Sequence, residues 1–181
     1  TIDTTSPTVT LQKPVNAYNQ TTNRTVLFNC SATDNINLKN FSLYLNTSGW
    51  HLNESKVKKG TSNASNFTVV NIKDNTYKWS CRVCDNLNNC AFASSNRTFT
   101  VDTTGPNISL RTPINNQGYS TKSGVTITFT YNVSDVTSVR NCSLTFDGNT
   151  KETDTSINEN TDQTFSADVG GGSHTWLVNC T

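Results

Sequence analysis

The stretch Val125-Thr126-Ile127-Thr128-Phe129-Thr130-Tyr131-Asn132-Val133 decides the fold class. Val125, Ile127, Phe129, Tyr131 and Val133 share one parity, and three threonines and an asparagine fill the other. Successive side chains of an extended strand point to opposite faces, so this pattern buries one face and leaves the other to water. The same phase recurs in Val26/Phe28/Cys30/Ala32, Phe41/Leu43/Leu45, Tyr77/Trp79/Cys81/Val83, Cys142/Leu144/Phe146, Phe165/Ala167/Val169 and Trp176/Val178/Cys180. Between the runs stand Asp34-Asn35, Asp74-Asn75, Asp85-Asn86, Asp147-Gly148 and Gly170-Gly171-Gly172. These read as turns, because glycine reaches positive φ and Asp or Asn side chains bond the backbone nearby. Short strands separated by such turns predict an all-β, antiparallel sandwich.

Composition alone leaves that conclusion open. Of 181 residues, 26 are Asn, 31 Thr and 19 Ser, while 33% are hydrophobic and 15% charged. A polar tract of this kind is also compatible with disorder, but a disordered tract does not hold one strand phase through so many segments. The net charge of +1 argues against a nucleic-acid surface. No apolar run approaches the ~20 residues of a membrane span. The N-terminus lacks the basic and apolar regions of a signal peptide, which is therefore expected to be absent or already removed.

An internal repeat sets the domain organisation. Thr1-Ile2-Asp3-Thr4-Thr5-Ser6-Pro7-Thr8-Val9-Thr10-Leu11 returns as Thr100-Val101-Asp102-Thr103-Thr104-Gly105-Pro106-Asn107-Ile108-Ser109-Leu110. Each copy runs on to a second proline, Pro14 and Pro113. The motif reads as the end of one strand, a tight joint and a proline-started next strand, since proline is tolerated at the start of an edge strand. Two domains are expected, 1–102 and 103–181, with residues 1–3 the tail of a preceding domain or a donor segment. Trp79 to Val83 resembles Trp176 to Cys180, but only the first is followed by a further strand, Cys90 to Val101. The second sandwich is thus expected to lack its last strand. Either the chain is a window on a longer array, or a strand from another subunit fills the gap. Thr1 to Val15 is the segment of this chain best suited to be that donor.

Six cysteines allow fifteen pairings. Cys30 and Cys81 face inward on the second and penultimate strands of the first domain, the positions of the inter-sheet bridge of immunoglobulin domains. Cys84 and Cys90 flank a turn and are placed to close a small loop. Cys142 and Cys180 face inward on strands that neighbour each other in such sandwiches. The competing reading, zinc held by Cys81, Cys84 and Cys90, is short of a fourth ligand. Disulfides imply an oxidising compartment, hence an extracellular or cell-surface location.

Asn-x-Ser/Thr occurs at Asn19, Asn23, Asn29, Asn40, Asn46, Asn53, Asn63, Asn66, Asn96, Asn107, Asn132, Asn141 and Asn179. Chance would place about seven such sites in this composition. Those on strands oppose the core parity, as Asn29 does Cys30 and Asn179 does Cys180, so N-linked glycans are expected to line the outer face. Any polar residue on such a strand would point outward too; the excess together with the phase favours glycosylation.

Little else reads as chemistry, and no enzymatic activity is expected. His51 and His174 have no nucleophile in a recognisable context, and no phosphate-binding loop appears. No organic cofactor is expected. The domain joints offer candidate calcium sites: Asp102 with the loop Asp135, and Asp3 with Asp34 and Asp85, as oxygen clusters. Each of these aspartates would equally serve as a simple turn residue.

The Asp-Thr-Thr-x-Pro joint, the Cys30 to Cys81 spacing and the Tyr77-x-Trp79-x-Cys81 strand together resemble tandem immunoglobulin-like repeats of prokaryotic, especially archaeal, surface glycoproteins and filament subunits. Cys142 departs from the pattern by moving the second domain's bridge off the inter-sheet position. The resemblance implies a stalk, adhesin or filament subunit. The expected function is therefore a structural subunit of a glycosylated extracellular filament, pilus-like fibre or stalk, with copies of itself or neighbouring repeats as partners. The rival is an adhesin recognising a glycan or a cell-surface protein through loop residues Trp50 and His51. Burial in the core is the commoner fate of a tryptophan such as Trp50.

Overall fold

The computed structural model describes residues 2–120 and 124–181, so Thr1, the first residue of the expected joint and donor segment, lies outside the described residues. Among the described residues the chain is all-β, and no helix is long and apolar enough to cross a membrane. It divides into two compact units, Thr1–Thr103 and Thr104–Thr181.

The first unit contains β1 (Thr8–Lys13), β2 (Tyr18–Gln20), β3 (Val26–Leu45), β4 (His51–Val69), β5 (Asn75–Asp85), β6 (Cys90–Phe92) and β7 (Arg97–Val101). The segments Val26–Ala32 and Phe41–Leu45, separated in the sequence by an apparent turn, are halves of one 20-residue strand. The first half of β3 pairs with β1 and the end of β4, and the second half with β5 and the start of β4. Regular pairing lapses between Thr33 and Leu38. There Asp34 Oδ1 accepts the amides of Ile36 and Asn37, which satisfies donors that have left the ladder. The chain therefore crosses from one layer of the sandwich to the other without breaking extension. β7 then covers the far edge of β5, and β2 adds parallel to β7.

Alternation puts Phe28, Trp79 and Phe99 into one core. Phe28 meets Trp79 and Phe99 edge-on, with ring centroids 5.2 Å apart in both pairs. Within the stretch expected as a donor, Thr8–Lys13 forms β1. These residues are hydrogen-bonded to β3 of their own unit, and Leu11 is in the core.

The second unit contains β8 (Asn107–Thr112), β9 (Val125–Ser134), β10 (Cys142–Phe146), β11 (Asn149–Asp154), β12 (Asp162–Val169) and β13 (Trp176–Cys180). They form two sheets, β12-β9-β8 and β11-β10-β13. The β10–β11 hairpin turns on Asp147 and Gly148, both at positive φ (48° and 77°). That is the signature of a type I′ turn, whose twist suits a tight hairpin.

Register shows how the two cores differ. Leu11 pairs with Cys30 in the first unit, and its repeat counterpart Leu110 pairs with Tyr131 in the second. Tyr131 thus stands where the first unit has its inter-sheet sulfur. It is 0% exposed and stacks on Phe165, with centroids 5.3 Å apart and planes at 7°. Its hydroxyl is buried without a hydrogen-bond partner. Burial, helped by the charge of Asp154, pushes the phenol up to about 12.

Candidate functional site

All six cysteines are paired: Cys30–Cys81, Cys84–Cys90 and Cys142–Cys180. The zinc reading for Cys81, Cys84 and Cys90 is therefore excluded, because none of the three keeps a thiolate. Cys30–Cys81 ties β3 to β5 across the core, whereas Cys142 and Cys180 sit directly opposite each other on adjacent strands.

An open edge marks the second unit. Among the described residues β13 is hydrogen-bonded to β10 alone, while its first-unit counterpart β5 has β3 on one side and β6 and β7 on the other. Beside that edge lies a cleft of about 850 Å³, into which Ile127, Phe129, Phe146, Val169 and Trp176 face. In the first unit Phe99 of β7 packs on Phe28 and Tyr77 in the corresponding layer. In the second, Phe129 keeps Trp176 and Phe146 as aromatic neighbours, with centroids 5.1 and 5.8 Å away.

His174 closes one wall of this cleft. Its Nδ1 lies 2.7 Å from Asp147 Oδ2 and its Nε2 3.2 Å from Gly170 O, and the ring stacks on Phe146. The bond to Asp147 raises the imidazole above its ordinary value. The Thr175 amide, and after it His174, lower the Asp147 carboxyl. With both ring nitrogens engaged, His174 pins the turn before β13; the arrangement is not that of a free general base.

Trp50, expected in the core, is 44% exposed. Its ring stacks on Tyr44 at 6.0 Å, and Phe92, 42% exposed, completes the cluster at 4.9 Å from Tyr44. The reason is placement. Trp50 precedes β4 on the outer side of β3, where Tyr44 has the parity opposite to Leu43 and Leu45. His51, expected in a loop, opens β4, and its Nδ1 lies 2.8 Å from Gly49 O.

None of the thirteen sequon asparagines is buried. Asn29 and Asn66 face each other across β3 and β4 and are hydrogen-bonded side chain to side chain. Others carry structural bonds: Asn46 Oδ1 accepts the Lys78 amide, and Asn63 Nδ2 donates to Lys59 O.

The joint aspartates separate in behaviour. Asp3, Asp34 and Asp85 offer one carboxylate oxygen each, all within 4.8 Å of one another. Asp3 precedes β1, Asp34 marks the layer crossing of β3, and Asp85 ends β5. Asp3 Oδ1 accepts the Thr5 amide at 2.9 Å and Asn35 Nδ2 at 3.1 Å, and these bonds hold its carboxyl below the ordinary value. Asp85 Oδ1 accepts the amides of Leu87 and Asn89, and its Oδ2 accepts Asn89 Nδ2. Asp102 belongs to the first unit, where its amide donates to Gln20 O; Asp135 belongs to the second, where its Oδ1 accepts the Val136 amide.

Asp74, which the sequence offered only as a turn residue, anchors the second joint. Its carboxylate accepts the Thr103 amide at 3.2 Å and hydroxyl at 3.1 Å, and pairs with Arg24 at 3.0 Å. Arg24 first, and then Thr103, lower its carboxyl. No spacing in the sequence announces this contact between residues so far apart.

No protein family model matches the chain, and no curated protein matches it. Two similar solved structures are the fibronectin(III)-like modules of Clostridium thermocellum CbhA and dimeric latent PorU from Porphyromonas gingivalis. The first has a TM-score of 0.45 at 14% identity, over 95% of this chain and 84% of that one. The second has a TM-score of 0.41 at 10% identity, over 97% of this chain and 17% of that one.

Proposed function

We propose that the chain is a non-catalytic structural module of a glycosylated extracellular filament, pilus-like fibre or cell-surface stalk. The observation that carries this reading is the open edge of β13 beside a cleft of mixed polar and apolar lining with Phe129 and Trp176 in its wall, set against the same edge covered by β7 in the first unit. A strand laid along β13 would add ladder hydrogen bonds and place an apolar side chain on Phe129, as Phe99 sits on Phe28. In this reading another copy supplies that strand by donor-strand complementation. The three bridges and the absence of any buried sequon fit a module exposed to an oxidising exterior. Electron microscopy of the purified glycoprotein, with size-exclusion chromatography, tests it. Regular fibres or end-to-end assemblies support the reading. A monodisperse monomer that binds no dye specific for exposed apolar surface overturns it.

A second reading, an adhesin, is favoured by the exposed Tyr44/Trp50/Phe92 cluster. Flat aromatic faces suit the C–H face of a sugar ring. Glycan-array binding that is lost on Trp50→Ala would support this reading, and a blank array would remove it.

A further inference from the structure

We infer that Asp3, Asp34 and Asp85 form a calcium site that fastens the N-terminal joint to the layer crossing of β3 and the end of β5. The first observation is geometric. One carboxylate oxygen from each of the three lies within 4.8 Å of the others. Two oxygens bound to one calcium ion stand up to about 5 Å apart, whereas around magnesium the limit is about 4.2 Å. The donor set is oxygen only, which suits a hard cation and disfavours zinc or copper.

The second observation is independent of the clustering. Asp3 is 9% exposed, and its Oδ2 is buried with no hydrogen-bond partner; Asp34 Oδ2 is buried and unpartnered as well. Buried carboxylate oxygens are normally satisfied, so two orphans in one cluster call for a ligand. The opposite oxygens, Oδ1 of Asp3 and of Asp34, are held by backbone amides. Those bonds fix the rotamers. Asp85 is 1% exposed and held in the same way by its own turn. Among the described residues no lysine or arginine forms an ion pair with any of the three. Three carboxylates pressed together without a cation repel one another, and a bound divalent ion converts that repulsion into attraction. Backbone carbonyls and water would complete a shell of six to eight oxygens.

The site does not rest on the fibre reading, because a lone monomer would bind equally well. The test uses the full chain stripped with EDTA and titrated calorimetrically with CaCl₂, then with MgCl₂. The expected result is one saturable calcium site with Kd at or below about 1 mM, the range of extracellular modules, and weaker magnesium binding. Asp3→Asn/Asp34→Asn keeps the Oδ1 acceptors and should weaken calcium at least tenfold, with circular dichroism checking that it folds. Asp162→Asn/Asp168→Asn removes the same charge from the second unit and should leave affinity unchanged. Hydrogen exchange at Thr5, Ile36 and Leu87 should slow with calcium in the wild type only. No saturable heat up to about 10 mM calcium, or equal losses in the two double variants, overturns the site.

Discussion

Removing the Cys30–Cys81 bridge tests the energetic logic of the first unit. The bridge closes a 51-residue separation, and the chain-entropy relation assigns such a loop about 4 kcal/mol at 25 °C. Both sulfurs lie in the core, so Cys30→Ala/Cys81→Ala also leaves a small cavity worth roughly 1 kcal/mol. The Cys84–Cys90 loop spans only 6 residues, for which the same relation gives about 2 kcal/mol. A domain of this size has a urea slope of about 1.2 kcal/mol/M. The midpoint should therefore fall by roughly 4 M in the first variant and by roughly 1.7 M in Cys84→Ala/Cys90→Ala. Urea denaturation followed by hydrogen exchange on β3 and β5 peptides reads the first unit separately from the second. A shift in the short-loop variant equal to or larger than that in the long-loop variant would refute the loop-length argument. So would a long-loop shift below about 1 M.

Tyr131→Phe removes a buried hydroxyl that has no partner while keeping the stack on Phe165. It should stabilise the second unit by about 1 kcal/mol, raising its calorimetric midpoint by about 4–8 °C. The His174–Asp147 contact has a defined pH window. The raised His174 contributes fully below its ordinary 6.5 and is lost as pH rises through its folded value; the lowered Asp147 contributes above 3.8 and is lost as pH falls through its folded value. NMR titration should place His174 above 6.5, and Asp147→Asn should bring it down. Asp74→Ala should free the Thr103 amide and speed its exchange, as should lowering pH through the depressed carboxyl of Asp74. Mass spectrometry before and after deglycosylation should find glycans on many sequons but rarely on Asn29 and Asn66 of one molecule, because the two side chains occupy the same space.

Strands whose two faces differ were legible in the sequence, and strands whose faces are alike were not. β9 was written out by its parity because one face is core and the other water. Most of β4 and all of β11 carry polar residues on both faces, so no period marks them; pairing to β3 and β10 alone defines them. The bend at Asp34 read as a turn because local chemistry shows where amides leave a ladder but not whether the chain then reverses. The Asp3/Asp34/Asp85 cluster was legible because the joint motif and the strand ends share one pole of a sandwich. The Asp74–Thr103 contact and the exposure of Trp50 were not, since each depends on which outward face a neighbouring strand presents.

The two kinds of bridge also fix how far a tethered molecule can be drawn out. Residues enclosed by Cys30–Cys81 cannot be pulled straight while the bond holds, which hides about 180 Å of contour from the 51-residue loop. Cys142–Cys180 hides about 130 Å in the same way. Each unit that yields under tension would thus release only part of its length, and reduction would release the remainder as a second, discrete step.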